Sequence, residues 1–148
     1  DNAGLDEELS AVAAKEAGNA NDASSDNSED ASSLFEQIDR TIRDERLYLN
    51  PDFQRQTLVD MFHSDRNRVG RVIKNFSGFS NLSAYINNYR LEYAYRLLRD
   101  LDSKQTIDSI AKASGFSTVR TFQRLFKERY GMTPAEFRES YPGLRTIE

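Results

Sequence analysis

Apolar residues recur along this chain at helical spacing, with no convincing run of the two-residue alternation that marks a strand. From Ser33 onward the pattern predicts an all-α fold of seven helices. Leu34, Phe35, Ile38 and Ile42 form the first stripe, and Ser33 with Glu36 has the form of a capping box, so helix one is expected from Ser33 to about Arg46. Asn50-Pro51 breaks the chain. Helix two is predicted over 54–62 with Leu58, Val59 and Phe62 inward, and helix three over 65–76 with Val69, Val72, Ile73 and Phe76 inward. A longer helix four covers 83–100, facing inward through Ile86, Tyr89, Tyr93, Ala94, Leu97 and Leu98. Helix five starts behind Thr106 and buries Ile107, Ile110 and Ala111; Ser114-Gly115 ends it, and Gly115 suits a left-handed cap. Helix six starts behind Ser117, buries Val119, Phe122, Leu125 and Phe126, and stops near Tyr130-Gly131. Thr133-Pro134-Ala135-Glu136 opens helix seven, with Thr as cap, Pro at the first position and Glu closing the box.

Before Ser33 the pattern fails. The stretch from Asn19 to Ser33 is polar and has no aromatic residue, so it buries too little apolar area to offset its ordering entropy. It reads as a flexible linker. Leu5, Leu9 and Val12 share one face of a short helix, which is expected to fray in isolation. The predicted organisation is an acidic, disordered tail (1–33), a first helix-turn-helix subdomain (34–82), a linking helix (83–100) and a second helix-turn-helix subdomain (101–148).

That division rests partly on a repeat. Leu58, Val59, His63 and Asp65 correspond to Ile110, Ala111, Gly115 and Ser117 at an offset of 52. Val69, Arg71, Val72, Ile73, Lys74 and Gly78 correspond to Phe122, Arg124, Leu125, Phe126, Lys127 and Gly131 at an offset of 53, one residue having been gained at the start of helix six. Each unit reads as helix, short turn, capped helix and Gly stop, which is a helix-turn-helix.

Charge changes what the repeat implies. The 148 residues hold 20 Lys+Arg against 24 Asp+Glu, for a net charge of −4. Residues 1–33 contain nine acids and one base, a net of −8, which leaves +4 for the rest. Segments 65–76 and 117–130 each carry four bases and one acid, so together they hold +6. Positive charge is therefore concentrated on two helices of an otherwise slightly acidic domain, which an ordinary solvated surface would not favour. With Val69 at the centre of the buried face, Asn67, Gly70, Arg71 and Lys74 fall on the opposite face of helix three. With Phe122 at the centre, Arg120, Gln123, Arg124 and Lys127 fall opposite on helix six. Arg suits guanine edges, Asn and Gln suit adenine, and Lys suits phosphate. Gly70 would admit the groove close to the backbone.

Other chemistry is sparse. There is no Cys and one His, which excludes disulfides, thiolate zinc sites and His-rich metal sites. No Ser lies in a nucleophile elbow and no glycine loop cradles phosphate. Asp60, Asp65 and Asp108 read as helix-start or solvated groups. The chain is therefore expected not to be an enzyme, with no metal and no cofactor. No apolar run nears the roughly 20 residues of a membrane span, and no signal-peptide pattern appears. The start at Asp1 instead of Met reads as a fragment, with any sensing or dimerising region outside it.

The segment from Thr106 to Arg138 resembles the AraC/XylS family of transcription regulators through its Ile110-Ala111, Gly115-Phe116, Phe122-x-Arg-x-Phe126-Lys127 and Gly131-Met-Thr-Pro-x-x-Phe137-Arg138 elements. Tyr89 to Leu98 is similar to that family's central helix, and the likeness covers about residues 50–140. The resemblance implies a sequence-specific activator or repressor with two reading helices on one face of double-stranded DNA. Carried over, Asn67, Gly70, Arg71, Arg120, Gln123 and Arg124 would read bases, with Val119 or Thr121 near a thymine methyl. Arg68, Lys74, Thr106, Ser117, Thr118 and Lys127 would hold phosphates. RNA polymerase or another regulator is the implied protein partner, and the cytoplasm with the nucleoid the implied location. The first unit departs from the family pattern, with Val59 where a small residue is usual and His63 where Gly is usual, so looser helix packing is expected there. A linking helix of about 18 residues is roughly 27 Å long. With the flanking units it suits adjacent major-groove faces about 34 Å apart, with the DNA bent to admit both helices. The competing reading is a protein-interaction module that has kept the fold and lost DNA binding, its basic faces covered by the acidic tail.

Overall fold

A computed structural model of the chain describes residues 28–100, 102 and 104–140. The predicted acidic tail up to residue 27, including the Leu5, Leu9 and Val12 face, lies outside the described residues. Among the described residues there are seven α-helices, one short 3-10 turn and no strand. They are α1 (Ser28–Asp44), the 3-10 turn (Leu47–Leu49), α2 (Arg55–Phe62), α3 (Arg66–Phe76), α4 (Leu82–Arg99), α5 (Ile107–Ala113), α6 (Val119–Tyr130) and α7 (Pro134–Ser140).

Helix α1 overturns one expectation. It is already formed at Ser28, inside the stretch assigned to the linker, because the apolar stripe extends back to Ala31, which is buried with Leu34, Ile38 and Ile42. Glu29 and Asp30 stand in its first turn, where a carboxylate favours the helix dipole. Ser33 is therefore no cap; its hydroxyl accepts from Gln37 one turn on, at 3.4 Å. Asp39 ties α1 to α4, accepting from the hydroxyls of both Tyr85 and Tyr89.

Two hydrophobic clusters form. The first gathers α1, α2, α3 and the N-terminal half of α4 around Ile38, Ile42, Leu58, Val69, Ile73 and Ile86. The second gathers α5, α6 and the C-terminal half of α4 around Ala94, Leu98, Ile110, Ala111, Phe122 and Phe126. Helix α4 serves both, so its buried set is wider than a single stripe and includes Leu82, Tyr85, Asn87, Arg90 and Leu91. The inward residues expected on α3 are fully buried except Phe76, which is 37% exposed and stacks on Phe35. The capping box at α7 is as expected: the Thr133 amide donates to Glu136 Oε1 at 2.8 Å, and the Glu136 amide to the Thr133 hydroxyl at 3.1 Å. The Thr133 amide, and then its hydroxyl, hold the Glu136 carboxyl below its usual pKa.

Candidate nucleic-acid interface

Each half of the repeat closes as a helix pair with a capped second helix. In the first, His63 ends α2 in the left-handed region (φ 52°) and the Ser64 amide reaches back to the Val59 carbonyl at 3.3 Å. Asp65 then caps α3 by accepting from the Arg68 amide at 2.9 Å. In the second, Gly115 takes the left-handed place (φ 96°) and the Phe116 amide reaches the Ala111 carbonyl at 3.0 Å. Thr118, not Ser117, caps α6, accepting from the Thr121 amide at 3.2 Å. The residue gained in the second unit is thus Ser117, just outside the cap. Phe116 is drawn into the core at 2% exposure and its ring lies 5.2 Å from Phe122, so the chain needs one more residue before the helix starts.

The buried side of α6 is Thr121, Phe122 and Phe126; Arg120, Gln123, Arg124 and Lys127 are all exposed. Arg124 is 56% exposed and pairs with Glu128 one turn on at 3.3 Å, a link weak enough in water to exchange for another acceptor. On α3, Asn67 and Lys74 are exposed, while Arg68 and Arg71 are half-buried. Gly70 departs from expectation: it is buried, because a residue without a side chain lies beneath those rising from neighbouring positions. Thr121 departs too. It is 8% exposed and its hydroxyl accepts from Thr118 at 3.0 Å, so it offers no methyl to a base. Val119 is half-buried.

Among the proposed phosphate contacts, Thr106 and Thr118 are exposed but already cap α5 and α6. The Ser117 hydroxyl is buried and has no hydrogen-bond partner, so it does not face outward. Lys74 and Lys127 are exposed at the surface of their helices. Arg129, counted among the bases of α6, instead turns toward α4. It donates to Asn88, lies 4.0 Å from Glu92 and covers the Tyr130 ring. An open cleft of about 420 Å³ separates α4 from α6 there, walled by Asn81, Asn88, Leu125 and Arg129.

Two buried arginines were missed by the sequence reading. Arg55 and Arg90 are each 1% exposed. Arg55 joins α2 to α3 by donating to the Arg66 carbonyl at 3.1 Å. Both carried a signal. Arg55 precedes Leu58 and Val59 by three and four places, and Arg90 lies four places from both Ile86 and Ala94, so each sits on a predicted inward stripe.

A family model of the AraC-type helix-turn-helix domain matches residues 58–140, more than half of the chain. The chain belongs to the AraC/XylS family. It is 33% identical over 95 residues to the probable transcription factor PqrA of Proteus vulgaris, which is 64% of this chain and 75% of that protein. Three further curated relatives are longer, and the chain spans between 29% and 38% of them. The C-terminal domain of the two-component response regulator yesN from Fusobacterium nucleatum superposes with a TM-score of 0.63 at 26% identity, covering 72% of this chain and 99% of that one. The DNA-binding domain of AdpA, solved with a target DNA, shares the fold with a TM-score of 0.65 at 23% identity, covering 78% of this chain and 97% of that one. As an AraC/XylS-family member the chain is a DNA-binding transcriptional regulator. Among the described residues, no helix is long and apolar enough to cross a membrane and no acid, His or Cys cluster fits a metal ion.

Proposed function

We propose that this AraC/XylS-family regulator reads two adjacent major-groove segments of one DNA site, with α3 and α6 as the reading helices. The observation that carries the reading is the face of α6, where Arg120, Gln123, Arg124 and Lys127 stand exposed opposite the buried Phe122 and Phe126. The AdpA domain, which shares this fold, was solved on its target DNA. On α6, Arg120, Gln123 and Arg124 contact base edges and Lys127 a phosphate. On α3, Asn67 and Arg71 contact bases, with Arg68 and Lys74 on phosphates. The two units, 34–82 and 101–148 about the linking helix, act as separate reading heads. The domain works in the cytoplasm on the chromosome, and RNA polymerase or another regulator receives its signal.

The test is a titration of the purified chain against the duplex it selects from a random pool, at several salt concentrations. The reading predicts a steep loss of affinity with salt. Arg124→Ala costs about 1–3 kcal/mol and relaxes preference at one position, whereas Lys127→Ala weakens all sequences alike and lowers the salt slope by about 1. If Arg124→Ala leaves affinity and preference unchanged, α6 is not a reading helix. Failure to select any duplex would favour the interaction-module reading.

A further inference from the structure

The two hydrophobic clusters are separate, yet one backbone carbonyl joins the units that contain them. Arg90 stands midway along α4, 1% exposed. Its Nε donates to the Tyr48 carbonyl at 2.7 Å, one Nη to the Asn50 carbonyl at 2.9 Å, and the other to Asn87 Oδ1 at 3.1 Å. Tyr48 and Asn50 belong to the 3-10 turn and its cap in the first unit, and the Tyr48 ring stacks on Tyr89 at 5.4 Å. The turn of the second unit closes on the same spot. A Cβ at Gly115 would lie 2.2 Å from the Tyr48 oxygen, 3.0 Å from Arg90 Nε and 3.0 Å from Leu49 Cα. The Tyr48 carbonyl is thus held by α4 from one side and covered by the α5–α6 turn from the other.

We infer that Arg90 and Gly115 form a lock that fixes the angle between the two helix-turn-helix units, and through it the half-site spacing the protein accepts. This rests on the two-helix reading proposed above. Its leverage is geometric. A rotation of about 10° across a helix of roughly 27 Å moves the far unit by about 5 Å, more than the roughly 3.4 Å of one base-pair step. An unconstrained junction would therefore tolerate spacings that a locked one rejects. A planar guanidinium with donors along two edges holds two carbonyls at a set angle, whereas an ammonium or an apolar side chain does not. Arg90 is a positioning residue and need not touch DNA.

The experiment uses the duplex that the wild-type chain selects from a random pool. Derivatives gain or lose one or two base pairs between its two protected segments, and a further duplex retains one segment only. The wild type is expected to lose at least about tenfold in affinity for each changed base pair of spacing. Arg90→Met is expected to bind the selected duplex more weakly, compress the differences between spacings to a few-fold, and bind the single-segment duplex like the wild type. Arg90→Lys restores part of the discrimination. If Arg90→Met does not fold, Arg90→Lys, whose ammonium cannot hold both carbonyls at a set angle, carries the test with a smaller compression. A folded Arg90→Met, or in its absence Arg90→Lys, with unaltered spacing preference overturns the lock. A wild type that protects one segment only, or binds all spacings alike, overturns the two-helix reading and the lock with it.

Discussion

In the first helix-turn-helix unit the turn residue His63 is exposed, whereas its counterpart Gly115 in the second is buried against the Tyr48 carbonyl. Both take a left-handed backbone, at φ 52° and φ 96°. Left-handed geometry alone therefore does not demand glycine in this fold. The close approach of another backbone does. The missing glycine in the first unit marks a turn that faces solvent, while the core beneath it, with Leu58, Val69 and Ile73 at 0% exposure, is closed. The reading faces differ in the same direction. All four expected side chains of α6 are exposed, whereas α3 offers Asn67 and Lys74 fully, Arg71 in part and Gly70 not at all.

The comparison breaks most easily at the turns. Gly115→Ala places a methyl group into the Tyr48 carbonyl at a backbone angle hostile to side chains, and is expected to lose about 3 kcal/mol or more in urea unfolding. The parallel change His63→Ala should stay within about 0.5 kcal/mol of wild type. Equal losses would show that the two turns are equivalent after all. The reading faces come next. Arg124→Ala should cost about 1–3 kcal/mol of binding to the selected duplex. Arg71→Ala should cost less and relax preference less, because its side chain reaches out only in part.

A third contrast lies in the cores. Rings meet in both, in the second through Tyr95, Phe122, Phe126, Tyr130 and Phe137. The first places two phenols on one carboxylate, Asp39. Burial, and then the hydrogen bond to Asp39, push the Tyr85 and Tyr89 hydroxyls well above the ordinary value near 10. An acid whose folded pKa is raised contributes stability that is complete below its unfolded value and is lost as the pH climbs past it. The wild type should therefore lose stability above about pH 10, and Tyr85→Phe, less stable at neutral pH, should lose less over the same rise. Melting curves between about pH 7 and about pH 11 check this; parallel slopes for the two proteins would remove the Asp39 cluster from the account. A small effect is likewise expected for His63→Gly. It relieves a left-handed cost of about 1 kcal/mol but loosens the unfolded chain, so the net change stays within about 1 kcal/mol of wild type.

Much of this was legible in the sequence because apolar spacing and caps report on local geometry. The seven helices, the buried faces of α3 and α6, and the Thr133–Glu136 box follow from positions a few residues apart. The missed features depend on distant backbone. Arg90 looks like a surface charge until its two carbonyl partners, 40 and 42 residues away, are brought to it. Thr118 and Ser117 are equally good caps by composition, and the burial of Phe116 decides between them. Ser33 resembles a cap only if Ala31 is not counted as part of the stripe. Gly70 is buried although helical angle sets it on the face opposite Val69, because angle along a helix says nothing of how high the neighbouring side chains stand.

Hydroxyl-radical and methylation footprinting of the wild-type chain on its selected duplex tests the central claim most directly. Two protected major-groove segments on one face, about one helical turn apart, are predicted. Arg124→Ala should weaken protection at one of them and Asn67→Ala at the other. A single protected segment, or two that both respond to Arg124→Ala and neither to Asn67→Ala, would contradict reading by both helices.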